Sequence, residues 1–197
     1  MKITAITQQA KRPDRYSIFV DGKFAFGLSE GGLLESGLAT GQELDEARLK
    51  ELKKMAGQDK AYNNALRYAA MRPRSEWEMG TYLQRKGVDE PVAQQIMQRL
   101  KRARLLDDGD FARAWVSHRR QLKSTSKRKL RLELKQKHVP EEIIEQVLSE
   151  DETTDRAALR DLVAKKRARY PDQQKLMAYL ARQGFSYDDI KVVFEEE

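Results

Sequence analysis

The sequence predicts a mainly α-helical fold: three tandem three-helix repeats in an elongated curved array, preceded by a small antiparallel β-sheet. Three observations carry that expectation. The first is an internal echo. With Val88, Val139 and Phe185 as markers, the residue nine earlier is Met79, Leu130 or Leu176, and the residue five earlier is Leu83, Leu134 or Leu180. Apolar pairs return eight and nine later as Ile96-Met97, Val147-Leu148 and Val193-Phe194. The second is punctuation, since thirteen residues before each marker stands Ser75, Ser126 or Asp172, each a side chain suited to capping a helix N-terminus. The third is spacing. Markers 51 and 46 residues apart leave room for about three helices each, as in stacked helical modules.

The elements follow in order. Residues 2–9 alternate weakly, whereas Tyr16, Ile18 and Val20, then Phe24, Phe26 and Leu28, alternate clearly around Asp21-Gly22. That dipeptide favours a two-residue type I′ hairpin turn, and Pro13-Asp14 is expected to turn the chain before it. Three such strands are too few to stand alone and must pack on a helix. Residues 30–36 read as a short helix. Leu44, Leu49, Leu52 and Met55 form one helical face, with Gly57 expected to break or kink it before a second helix over 59–71. Arg72-Pro73 ends that helix. Ser75 with Glu78 forms a capping box, and Gly87 suits a left-handed C-cap. Asp89 opens the next helix, with Val92, Ile96 and Leu100 as its stripe. Further helices are predicted over 110–123, 126–137, 141–148, 155–168, 172–183 and 187–195, the last opened by a Ser186/Asp189 capping box, with residues 195–197 fraying. The implied domains are 1–58, 59–107, 108–152 and 153–197.

Composition narrows the function. The chain has 197 residues, 35% charged and 8% aromatic, and no cysteine, which excludes disulfides, thiolate metal sites and cysteine nucleophiles. No run approaches about 18 apolar residues, and the first residues lack the apolar core of a secretory signal, so a cytoplasmic protein is expected. The net charge of +7 is unevenly spread. Residues 101–137 hold thirteen Lys/Arg against four Asp/Glu, a local +9, while 138–155 hold seven acids and neither Lys nor Arg. Such a block points to a polyanion or an acidic protein surface as partner.

The ordered set Ala65–Tyr68 (ALRY), Arg72–Glu76 (RPRSE), Leu83–Gly87 (LQRKG), Leu106–Asp108 (LDD) and Phe111–Trp115 (FARAW) resembles the RecX family, regulators of the bacterial recombinase RecA. The resemblance covers roughly residues 59–197, and residues 20–29 look like the strand extension of longer members. It implies tandem three-helix modules bound along the groove of the RecA filament on single-stranded DNA. There they limit filament growth, ATP hydrolysis, strand exchange and co-protease activity. A monomer without cofactor is expected. Two departures stand out: His138 replaces the family's glycine, so a looser C-cap is expected there, and the third repeat matches mainly over 180–185.

The candidate partner or DNA-binding surface comprises Lys101, Arg102, Arg104, Arg113, Arg119, Arg120, Lys123, Lys127, Arg128, Arg131 and Lys135. At 100° per residue, Lys127, Arg128, Arg131 and Lys135 share one face of a helix whose buried side carries Leu130 and Leu134. The competing reading is a solvated face that balances the acids of 141–155. Trp77 reads either as an exposed anchor or as packed on the first helix or the sheet, and Trp115, four after Phe111, reads as core. His118 and His138 lack a ligand pattern, and Asp107, Asp108 and Asp110 read as a helix start. No phosphate loop, nucleophile elbow or metal-binding helix motif occurs, which disfavours an enzyme. The alternative function is stand-alone, sequence-independent DNA binding, for which Asn/Gln base-reading pairs are lacking.

Overall fold

A computed structural model describes residues 1–196. Residue 197, part of the segment expected to fray, lies outside the described residues; Glu195 closes the last helix. The chain divides into two compact units, residues 1–72 with 80–102, and residues 73–79 with 103–197.

In the N-terminal unit, strands β1 (Ile3–Gln9), β2 (Arg12–Val20) and β3 (Lys23–Ser29) form an antiparallel sheet in that order. Asp21 and Gly22 take the positive φ values, 47° and 78°, that a type I′ turn demands. The first turn is displaced from its expected place. The chain reverses at Ala10-Lys11, and Pro13 lies inside β2 where residues 13–15 bulge between the pairs Gln9↔Arg12 and Gln8↔Tyr16. A residue without an N–H removes no β1–β2 ladder bond there.

Helix α1 (Glu30–Ser36) is capped by Ser29 and ended by a left-handed Gly37. Helix α2 (Glu46–Met71) is capped by Asp45 and runs unbroken through Gly57, contrary to the expected break. Mid-helix glycine costs about 1 kcal/mol. Burial outweighs that cost, because Leu52 and Ala56 pack with Ile3, Ile18, Phe26 and Leu28 before Gly57, and Ala65 is fully buried after it. A buried ion pair, Arg15–Asp59 at 3.6 Å, joins sheet to helix, and Asp59 also accepts from the Ser29 N–H at 2.8 Å and bonds its hydroxyl. Helix α4 (Glu90–Arg102) buries Ala93, Ile96 and Leu100, while Arg99 lies 3.8 Å from the centre of the Tyr62 ring.

Helix α3 (Glu76–Arg85) straddles the division, its first four residues counting with the C-terminal unit. That unit continues with α5 (Asp108–Lys123), α6 (Lys127–Gln136), α7 (Glu141–Glu150), α8 (Asp155–Lys166), a 3₁₀ turn over Arg167–Arg169, α9 (Gln173–Arg182) and α10 (Tyr187–Glu195). Two cores form around the predicted leucines: Leu130, Leu134 and Val147 are joined by Phe111, Val116 and Ile144 in one, and Leu176 and Leu180 by Leu159, Leu162 and Ile190 in the other. Leu130, Leu134, Leu176 and Leu180 are wholly buried, each contributing about 1.5–3 kcal/mol.

Within this unit the repeats are joined by one recurring clasp. The Ser75 hydroxyl caps α3, accepting from Glu78 N–H, and donates to the Lys137 carbonyl at 3.0 Å; Ser126 caps α6 and donates to the Gln183 carbonyl at 2.8 Å. The N–H of Glu76 donates to Asp108, and that of Lys127 to Asp155, both at 2.8 Å. Each N-cap serine thus satisfies its own helix and the C-cap of the equivalent helix in the next repeat. The C-cap at His138 is not looser than its counterparts. His138 adopts φ 56°, beside 69° for Gly87 and 91° for Gly184, and Val139 N–H reaches the Leu134 carbonyl at 3.2 Å as Val88 reaches Leu83 and Phe185 reaches Leu180. The non-glycine conformation costs about 1–2 kcal/mol. It is offset by stacking of the His138 ring on Trp77, centroids 4.6 Å apart.

Candidate functional site

The candidate basic residues predicted on α5 and α6 fall into three environments. Arg119, Arg120 and Lys127 are engaged internally. Arg120, its side chain 7% exposed, binds Asp151 at 2.7 Å and Asp155 at 3.4 Å and donates to the carbonyls of Thr125 and Thr153. It holds the 151–155 connection rather than facing a partner. Arg119 binds Glu133 at 2.7 Å and lies over the Trp115 ring, whose Nε1 donates to the same carboxylate. The ammonium of Lys127 donates to the carbonyls of Leu148 and Asp151, where the C-terminal end of α7 attracts a cation.

Arg113, Arg131 and Lys135 form ion pairs at the surface. Arg131 meets Glu145 at 2.7 Å and Lys135 meets Glu141 at 3.0 Å, with both partners about half exposed. Exposed pairs contribute roughly 0–1 kcal/mol, so another anion displaces them at little cost. Arg113 meets Asp110 and Glu150; the bond to Glu150 raises the guanidinium pKa above its ordinary value. The Glu150 carboxyl is lowered, first by the Gln146 amide and then by Arg113.

Lys123 and Arg128 are exposed and have no partner among the described residues. Arg128 lines a groove of about 390 Å³ between α6 and α9, together with Leu132, 54% exposed, and Arg182. Of the four cations expected on one face of α6, Lys127 turns inward to the end of α7 and Arg131 and Lys135 are paired, so the outward charge is concentrated at Arg128. Elsewhere, Lys101 and Arg102 end α4 in the N-terminal unit, Lys101 half-buried and engaged, Arg102 exposed. Arg104 is exposed in the turn that follows, at φ 55°.

Trp77 is 43% exposed and packs on His138, a partner its spacing did not suggest. Trp115 is half-buried against the second repeat's core, centroids 5.7 Å from Phe111. Asp107 caps α5, while buried Asp108 forms the clasp to Glu76. Lys129, Lys165, Lys166 and Arg182, which the sequence does not single out, also line grooves of this unit. Lys129 lies outside the arc shared by Lys127 and Lys135; the others stand beyond the basic block, where no spacing singles them out. Among the described residues no three His, Cys, Asp or Glu side chains gather as a metal site requires, and no helix is long and apolar enough to cross a membrane.

Comparison with known proteins matches the chain in order to four domain families. These are the regulatory protein RecX N-terminal domain over residues 1–45 and the first, second and third three-helix domains of RecX over 61–100, 107–148 and 154–194. Regulatory protein RecX of Bacillus licheniformis is 33% identical over 98% of this chain and 76% of its own, and that of Bacillus subtilis 30% identical over the same shares. A crystal structure of regulatory protein RecX aligns over 98% of both chains with a TM-score of 0.74 and 28% identity. RecX from Lactobacillus salivarius aligns over 71% of this chain and 95% of its own, with a TM-score of 0.62 and 25% identity.

Proposed function

The chain belongs to the RecX family of regulatory proteins, and from that premise we propose that it is a non-enzymatic modulator, mainly an inhibitor, of RecA. In this reading it works in the cytoplasm on the RecA filament formed on single-stranded DNA, limiting filament growth, ATP hydrolysis, strand exchange and co-protease activity. The observation that carries the proposal is the ordered match of every repeat to a RecX domain. The basic surface of the second repeat supplies the contact, through Arg128 and through Arg131 and Lys135, whose exposed pairs with Glu145 and Glu141 yield readily to acidic groups of a partner.

The test is RecA's single-strand-dependent ATPase and strand exchange with the purified protein in modest excess. Both should fall; unchanged rates would sink the proposal. A second reading, sequence-independent DNA binding, draws on the exposed guanidinium groups of Arg102, Arg104 and Arg128. Competition between naked and RecA-coated single strands at fixed salt separates the two, because phosphate contacts and protein ion pairs both weaken with salt.

A further inference from the structure

We propose that the cleft among α5, α6, α8 and α9 is a binding site for a small polyphosphate, a chain of two or three phosphates free or carried on a nucleoside. The cleft holds about 440 Å³, within the roughly 300–1,000 Å³ of small-molecule sites, and is more enclosed than the groove at Arg128. Five cations line it, Arg119, Lys123, Lys129, Lys165 and Lys166, against one carboxylate, Glu133. Asp161 holds Lys165 from outside the lining, which leaves an excess of three positive charges. A single phosphate group carries about −1.5 to −2 at neutral pH and leaves that excess uncompensated; a chain of two or three matches it.

Local structure explains only part of this convergence. Lys123, Lys165 and Lys166 occupy the last turns of α5 and α8, where the helix dipole favours cations. Lys129, inside α6, has no such reason to be there, and its ammonium is held in the cleft by the neutral Gln183 side-chain oxygen at 2.5 Å. Lys165 is likewise fixed, by Asp161 at 2.6 Å and Ser124 at 3.2 Å. Lys123 and Lys166 have no partner among the described residues and complete an arrangement of two anchored and two free ammonium groups. Leu122, 63% exposed, and half-buried Tyr179 give the cleft an apolar flank suited to a base.

The probes are sodium tripolyphosphate, ATP and an oligothymidylate, each titrated at matched ionic strength by calorimetry and by emission of Trp115 in a Trp77→Phe background. Trp115 reports because Arg119 lies over its ring and Glu133 accepts from its Nε1. Tripolyphosphate should bind one to one and shift the emission. The pair Lys123→Gln with Lys166→Gln should weaken it about ten- to a hundredfold, as expected for lost charge-assisted bonds, whereas Lys53→Gln with Lys54→Gln, on α2 and outside the cleft lining, should not. Tighter binding of ATP than of tripolyphosphate would place a nucleoside on the apolar flank. Absence of saturable tripolyphosphate binding, affinity indifferent to Lys123 and Lys166 in variants of native helical content, or oligothymidylate alone binding through them, would each overturn the assignment.

Discussion

The two joints between repeats in the C-terminal unit use the same clasp and differ in what surrounds it. At the first, Trp77 stacks on His138 and Lys137 donates to buried Glu78 at 2.8 Å. At the second, the equivalent positions hold Arg128, Gly184, Gln183 and Lys129, and the side-chain bond is reversed: the lysine comes from the N-terminal side of the joint and the acceptor from the C-terminal side. The serine and aspartate positions that satisfy helix ends recur in both joints, because any backbone group left unsatisfied there would cost stability. The flanking positions carry no such duty and diverge. One joint is closed by an aromatic stack, and the other is left as an open cationic groove. Under the proposed function, fold and partner contact fall to different residues of one repeated frame.

The largest predicted effect lies at the second joint. Arg120→Ala leaves Asp151 nearly buried and unpaired and should cost about 3–5 kcal/mol in urea unfolding of the C-terminal unit. A loss below about 1 kcal/mol would show that the connection does not depend on it. Next comes the contrast between the two C-caps. A Cβ on Gly184 would stand 2.6 Å from the Ser126 oxygen at φ 91°, so Gly184→Ala should cost about 1–3 kcal/mol, whereas His138→Gly should be nearly neutral, relief of φ 56° offsetting the lost stack. Equal effects at both positions would break the comparison. The smallest effect is electrostatic. The Asp161 carboxyl is lowered by Lys165 and Ser124, Asp189 by Ser186 and Arg156, and Glu150 as above. Their stabilisation is therefore present above the unfolded values, near 4, and is lost as pH falls through the depressed folded ones. Thermal unfolding midpoints should drop below about pH 4 and be flat from 5 to 7, and a decline already present at pH 6 would contradict this.

Much of the fold was legible because repeated apolar and capping positions carry it: Ser75, Ser126, Asp172 and Ser186 open the helices that their spacing foretold. Local turn chemistry placed the hairpin at Asp21-Gly22 but misplaced the turn before it, since Pro13 is harmless in a bulge that only the strand register reveals. Gly57 reads as a break on helix propensity alone, and only the tertiary core that spans it keeps the helix continuous. The site was less legible for a plain reason. Ion pairing is decided by tertiary contact: Arg131 meets Glu145 14 residues away, and Arg120 meets Asp151 31 away. A helical wheel locates a cationic face but not the acids folded against it, and it separates Lys129 from Lys165, which line one cleft.

The central claim is that the open cationic side of the second repeat, not the clasp, engages RecA. It is tested most directly by RecA's single-strand-dependent ATPase measured with the native protein, with Arg128→Glu, and with the triple reversal Arg128→Glu, Arg131→Glu, Lys135→Glu, each checked for native helical content. Inhibition by the native protein, weakened by Arg128→Glu and weakened further by the triple reversal, is the predicted result. Full inhibition by the folded triple variant would contradict it.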